Sequence, residues 1–291
     1  MSTEFIRRNS AAGMMPWLFR SYKNGDVRPG LSIIHGTSSG VRVEFSGPEL
    51  LGADDLRVLQ GLVSLATKPC ELLRAELADA AMNEPTERAM RRMKLALGDD
   101  FVIKGSYAAL AREIGHADLS DTRTLRACIE RMCKVSAITE EGPEEARRQN
   151  ASRLITDLGN AGNGTNGRLH VDVNPQITGI VLGLNTMRID MDEVRALRSD
   201  PARLIYQRLC GWICPGKSGR ISIGTLCSYV WLEDETCAAI RQRRVRARRA
   251  LQEIIGLGWQ VEEYEPGEYK ITRPAANRQI SRRKNCGLTS S

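Results

Sequence analysis

Six arginines crowd one short stretch: Arg241, Arg243, Arg244, Arg246, Arg248 and Arg249. A guanidinium stays charged at any working pH and presents its N–H donors as a planar fork. That fork fits a phosphate, or the O6/N7 edge of guanine, with two parallel hydrogen bonds. The chemistry on offer is therefore nucleic-acid contact. Ile240, Ala247, Leu251, Ile254 and Ile255 recur among the arginines at helical spacing, so the stretch is expected to be a helix with one face in a core. On that wheel Arg246 and Arg249 face away from the core, Arg241 and Arg243 sit on the shoulders, and Arg244 and Arg248 flank the apolar stripe. Few acids offset the arginines, which favours a helix that reads DNA over a merely solvated basic face.

Other motifs offer less. Gly211 to Ser218 spells G-x-x-x-x-G-K-S, the phosphate loop of nucleotide hydrolases. That loop works only between a buried strand and a helix whose N-terminus meets the phosphate. Here Arg203 to Ile213 have helical periodicity and Arg220 to Ile223 resemble a short strand, so the context is inverted and a helix-ending turn is expected. Gly162 to Gly167 spells G-x-G-x-x-G but leads into a strand, which fits a hairpin loop rather than a dinucleotide site. The eight cysteines include no C-x-x-C pair. Cys128 and Cys133, like Cys210 and Cys214, lie in helical patterns and read as core thiols. His35, His116 and His170 are far apart in sequence. No metal, cofactor or catalytic constellation is expected, and the protein is not expected to be an enzyme.

The elements that would hold these residues recur. Val41 to Phe45 is a strand pattern, and Asp54 and Asp55 open a helix bearing Leu56, Leu59, Leu62 and Val63. Phe101 to Lys104 is a strand. Ser106 caps a helix, Tyr107 to Ile114, that Gly115 stops. His116 to Leu119 make a turn, and Ser120 and Asp121 start a second helix ending near Val135. Its core face is Leu125, Cys128, Ile129, Met132 and Val135; Arg123, Arg126 and Lys134 face outward. Strands at Val135 to Thr139, Leu154 to Thr156 and Arg168 to Val173 follow, with Arg147, Arg148, Arg153 and Arg168 in or beside the resulting wing as phosphate contacts. The order repeats as a strand at Ile221 to Ile223, a helix at Thr225 to Val230 and a long helix at Glu235 to Ile255. A hairpin of Trp259 to Tyr264 and Tyr269 to Thr272 follows, with Lys270 and Arg273 as further DNA contacts. The expected fold class is α+β, with tandem winged helix-turn-helix domains and small β-hairpin wings.

The expected organisation is a weakly ordered N-terminal arm (1–40), a first winged-helix domain (41–185) with a helical insertion (68–99), a second (186–274), and a basic disordered tail (275–291). The 291 residues are enough for two cores, and a formal net charge of +7 suits an anionic partner. No apolar run reaches the ~20 residues of a membrane span. The N-terminus has no secretory apolar core, so a cytoplasmic protein without a membrane partner is expected.

Several blocks carry a family resemblance. They are Glu44 to Val63, Lys104 to Gly115, Cys128 to Ile138, Met191 to Gly219, Leu226 to Trp231, the arginine helix, Ala250 to Val261 and Tyr269 to Pro274. In this order they resemble the RepC-type replication initiators of IncQ-type plasmids. The resemblance implies a tandem winged-helix initiator that binds iterons, the direct repeats of an origin in double-stranded DNA. It also implies opening of adjacent AT-rich DNA and recruitment of a plasmid-encoded helicase. Initiators of this kind can form a homodimer and repress their own expression. The same two reading heads would equally serve a sequence-specific transcriptional repressor with no initiator activity.

Overall fold

The computed structural model describes residues 18–22, 26–36, 42–80, 101–116, 122–141, 148–157, 168–182, 190–232 and 236–275. The chain divides into two units, Met1–Arg195 and Ala196–Ser291.

In the first unit, strand formation starts inside the segment expected to be a weakly ordered arm. Strands β1 (Phe19–Arg20) and β2 (Leu31–Gly36) precede β3 (Arg42–Gly47) and β4 (Leu51–Gly52). β1 pairs in parallel with β4, and β2 pairs antiparallel with β3. The correction has a plain cause. Leu18, Phe19 and Leu31 are buried and belong to the core, but they sit among glycines and Ser/Thr clusters that hide any alternation.

Helix α1 (Ala53–Ala80) opens with Asp54 and Asp55, whose charges suit a helix N-terminus. It runs past the point where the insertion was expected to begin; residues 81–100 lie outside the described residues. Leu56, Leu59 and Leu62 are buried as their spacing predicts. Asp55 is fully buried, and its Oδ2 accepts the Gly52 N–H at 2.6 Å, a third-position acid reaching back to cap its own helix. The same carboxylate pairs with Arg28 Nη1 at 2.9 Å and Arg131 Nη2 at 2.9 Å.

Strand β5 (Phe101–Ser106) leads into α2 (Tyr107–Ile114). Ser106 Oγ caps α2 by accepting the Ala109 N–H at 3.1 Å, and Gly115 ends it with φ of 66°. That left-handed conformation suits glycine. The last carbonyls of α2 are taken by arginines: Arg57 donates to Ile114 O and to Gly115 O, both at 2.8 Å, and Arg195 donates to Glu113 O at 2.7 Å. Glycine at position 61 lets α1 and α2 approach closely, since a Cβ there would lie 2.3 Å from Ile114 Cγ2.

Helix α3 (Arg123–Cys133) buries Leu125, Cys128, Ile129 and Met132, as expected. Ser120 and Asp121, expected to start it, lie outside the described residues; the preceding residue is Thr122, whose side chain makes no cap bond. Strands β6 (Ser136–Glu141), β7 (Arg148–Arg153), β8 (Ile155–Asp157) and β9 (Arg168–Val173) follow, then α4 (Pro175–Leu182) and α5 (Met191–Ala196). The expected wing is corrected here. β6 does not pair with the strands after it at Ile155 and Arg168. It joins a four-stranded sheet of order β2-β3-β6-β7, while β8 and β9 form a three-stranded sheet of order β5-β9-β8. The N-terminal strands supply β6 with a neighbour that local sequence could not reveal.

The second unit holds α6 (Asp200–Trp212), β10 (Ser218–Ser222), α7 (Ile223–Val230), α8 (Cys237–Gly256), β11 (Gln260–Glu265) and β12 (Glu268–Thr272). Its helices start at Ser199, Ser222 and Thr236, each of whose hydroxyls accepts a helix N–H. The core gathers Tyr206 and Trp259, whose rings meet edge-on at 6.1 Å, with Leu209, Leu226, Leu251 and Ile254. The sheet order is β10-β12-β11. Helix, strand, two helices and a hairpin, with the first strand beside the third, thus occur in both units; in the first, β6 and β7 are inserted between the second of the paired helices and the hairpin. Among the described residues no helix is long and apolar enough to cross a membrane.

Candidate nucleic-acid interface

Helix α8 is where the arginine chemistry sits. Its buried residues are Ala247, Ala250, Leu251 and Ile254. Ile240 and Ile255, expected in the core stripe, are 39% and 37% exposed. Ala250 is the residue the expected stripe lacked. Including it rotates the buried face and reassigns the arginines. Arg243, expected on a shoulder, and Arg246, expected to face away from the core, are both half-buried beside it. Their guanidiniums lie 5.6 and 5.4 Å from the ring centre of Trp231, and Arg243 also donates to the Leu232 carbonyl. Trp231 is buried at the C-cap of α7, so the two arginines are held against the end of that helix. Arg241, Arg244, Arg248 and Arg249 are exposed. Arg248, expected to flank the core, instead donates from Nε to the Tyr269 hydroxyl at 3.1 Å on the hairpin.

In the first unit, α3 presents Arg123 and Lys134 to solvent, while Arg126 is half-buried with its guanidinium 4.6 Å from the Tyr107 ring centre. Burial pushes the Tyr107 hydroxyl up against the lowering pull of Arg126. Arg131, on the same helix, is committed to Asp55. Cys128 is buried and its thiol is pushed far above the ordinary range by that burial, which leaves it inert. Arg168 is exposed at the start of β9, on the hairpin sheet. Arg148 and Arg153 stand at the two ends of β7 in the other sheet, so they are not on the β8–β9 hairpin; Arg153 is exposed. Arg147 lies outside the described residues.

The second-unit hairpin is less basic than its position implies. Lys270 is exposed, but Glu262 stands opposite it in register, and Glu263 and Glu265 are exposed on the same strand. Arg273 is half-buried and donates to the carbonyls of Cys210 and Ile213 at 3.1 and 3.2 Å, with its guanidinium over Trp259. It therefore holds the end of α6, which accounts for its charge without DNA.

The phosphate-loop spelling falls where its context predicts. Gly211 and Trp212 end α6, Pro215 and Gly216 turn, with Gly216 at φ of 75°, and Ser218 begins β10. The Gly216 N–H is donated to Arg273 O and the Lys217 N–H to Cys214 O, so these amides already have acceptors. Gly162 to Gly167 lie outside the described residues. Cys214 is exposed rather than a core thiol, because the helix ends before it. Among the described residues no group of three His, Cys, Asp or Glu side chains is placed to hold a metal.

Two features were not foreseen. Asp55 ties α1, α3 and Arg28 of the N-terminal segment together; its only sequence signal was an acid in the first helical turn. Val245 is 46% exposed on α8, an apolar residue off the core stripe and between two arginines, a position that the spacing alone already marks.

Comparison with known proteins bears on the whole chain. A family model described as Replication protein C (RepC) matches residues 1–275. No curated protein sequence matches. Two crystal structures of domains 2 and 3 of RctB share the fold. A selenomethionine derivative is 11% identical with a TM-score of 0.55, covering 91% of this chain and 98% of its own. The second is 11% identical with a TM-score of 0.52, covering 88% and 95%.

Proposed function

The chain belongs to the Replication protein C (RepC) family, and from that premise we propose that it initiates plasmid replication by binding direct repeats at the origin. Each unit supplies a winged helix-turn-helix reading head: α2 and α3 with the β8–β9 hairpin, and α7 and α8 with the β11–β12 hairpin. The observation that carries this reading is the exposed face of α8, where Arg241, Arg244 and Arg249 project on a helix whose other side is packed core. A helix of this kind fits the major groove, where Arg241 and Arg249 reach base edges. Arg123, Lys134 and Arg168 of the first unit hold phosphates, which fix position without reading sequence.

The mechanism is mechanical rather than catalytic. Several copies on adjacent repeats bend the DNA, at a cost of order 1–6 kcal/mol for a smooth bend of one site. That strain favours opening of a weak neighbouring AT-rich duplex, onto which a plasmid-encoded helicase is recruited. This reading requires no nucleotide hydrolysis by the chain itself, which accords with a loop at Gly216 that follows a helix and precedes a strand.

The test is replication in trans. The protein is supplied to an origin fragment holding direct repeats and an AT-rich segment, with the cognate helicase present. Replication of the fragment and permanganate-reactive thymines in the AT-rich segment are expected. Binding to the repeats with neither outcome would identify a repressor instead.

A further inference from the structure

Of the exposed apolar side chains on helix α8, Ile240, Val245 and Ile255, only Val245 lies opposite the buried face. Gln242, Val245, Arg249 and Gln252 recur at i, i+3, i+7 and i+10, and all four are exposed. They form the row opposite the buried Ala247, Leu251 and Ile254. Three members are polar donors. The fourth, Val245, leaves 46% of its surface in water in the middle of that row. A single exposed valine is unremarkable on an ordinary surface. Its place is what gives it meaning. It lies at the centre of the side that would face the DNA, within one helical turn of both Arg241 and Arg249.

Among the groups that line a major groove, the 5-methyl of thymine is the apolar one; the other base-edge groups are hydrogen-bond donors and acceptors. Phosphate contacts would need a donor at this position, and valine has none. Valine is also stiff in a helix, with one strongly preferred χ1 rotamer, so its methyl groups occupy a fixed place and lose little freedom on contact. We propose that Val245 reads the 5-methyl group of a thymine in the origin repeat, between the base contacts of its polar neighbours on the same row. This rests on the reading in which α8 enters the major groove.

The experiment measures affinity of the full chain for synthetic duplexes carrying one origin repeat, located beforehand by footprinting. Each thymine is replaced in turn by deoxyuridine, which removes only the methyl. Losing one buried methyl contact weakens binding about fourfold. For the wild type, that loss is expected at one thymine. Val245→Ala is expected to bind the thymine and uracil duplexes equally at that position, and Val245→Thr, which keeps a methyl, to retain part of the difference. Melting temperatures of both variants should match the wild type, since the side chain is exposed. A wild type insensitive to uracil at every position overturns the inference, as does an alanine variant with undiminished sensitivity. Discrimination of repeat from random DNA without methyl sensitivity removes this inference alone. No discrimination at all removes the reading of α8, and this assignment with it.

Discussion

Arginines on α8 separate according to what their guanidiniums already touch. Arg249 is exposed and opposite the core, whereas Arg246 lies over the buried Trp231. Arg249→Ala should therefore cost ~1–3 kcal/mol against the repeat and relax preference at one base pair, as measured by competition against single-base variants. Arg246→Ala should act first on folding. Loss of its stack is worth ~0.5–2 kcal/mol, visible as a lower melting temperature and altered tryptophan fluorescence. Equal melting of the two variants would contradict that division. Lys217→Ala should change neither stability nor magnesium-dependent ATP binding, because no such binding is expected; tight ATP binding lost in this variant would reinstate the phosphate loop. The arginine cluster was legible in sequence, but which arginines are free was not. That depended on Ala250 and on a tryptophan outside the helix.

Elements here are fixed by capping and by close approach, and both can be tested. Asp55→Asn leaves Arg28 and Arg131 without their buried counter-charge, and breaking such a pair should cost about 3–5 kcal/mol in urea unfolding. Glycine at position 61 and glycine at position 256 make a matched contrast. A methyl at the first meets Ile114, and overpacking of ~1–3 kcal/mol should outweigh the ~1 kcal/mol gained in helix propensity. A methyl at the second meets nothing within 4 Å, so Gly256→Ala should stabilise. Stability should also carry a signature of Glu253, whose Oε2 accepts the N–H groups of Arg198 at 2.7 Å and Ser199 at 3.2 Å. Burial raises its affinity for a proton, but the hydrogen bonds from Ser199 and Arg198 outweigh this and hold its carboxyl below the ordinary range. A carboxyl depressed in the folded state stabilises above its unfolded value of about 4.3, and the contribution is lost as pH falls through the lower folded value. Glu253→Gln should thus melt earlier than wild type at neutral pH, with the difference closing below about pH 4. A difference independent of pH would assign the effect to packing. The helix start at Ser106 was readable because a capping hydroxyl is a local signal; the long helix, expected from Glu235, begins instead after Thr236, whose hydroxyl accepts the Ala239 N–H at 3.3 Å.

At the scale of the molecule, two units repeat one order of elements, and the proposed function uses both. Arg168 and Arg249 lie in different units, so their effects on DNA binding should be independent. Arg168→Ala should weaken repeat and random DNA alike and lower the salt slope by about one. Combined with Arg249→Ala, the losses in binding free energy should add within ~0.5 kcal/mol. A clear departure from additivity would mean that one unit sets the placement of the other on DNA. Strand order was the least legible feature. β6 was expected to lead into a wing with the strands at Leu154 to Thr156 and Arg168 to Val173, and it pairs instead with β3 and β7. The sequence by itself determined the paired helices of both units, the Ser106 and Gly115 caps, the repeated order and the concentration of positive charge, because each is written in neighbouring residues through spacing, a capping hydroxyl or a run of one residue type. Tertiary structure alone decided the partners of β6, the burial of Asp55 between Arg28 and Arg131, and the closing of Arg243 and Arg246 over Trp231. Those outcomes depend on residues far apart in the chain, and no local pattern encodes a contact whose other half lies elsewhere.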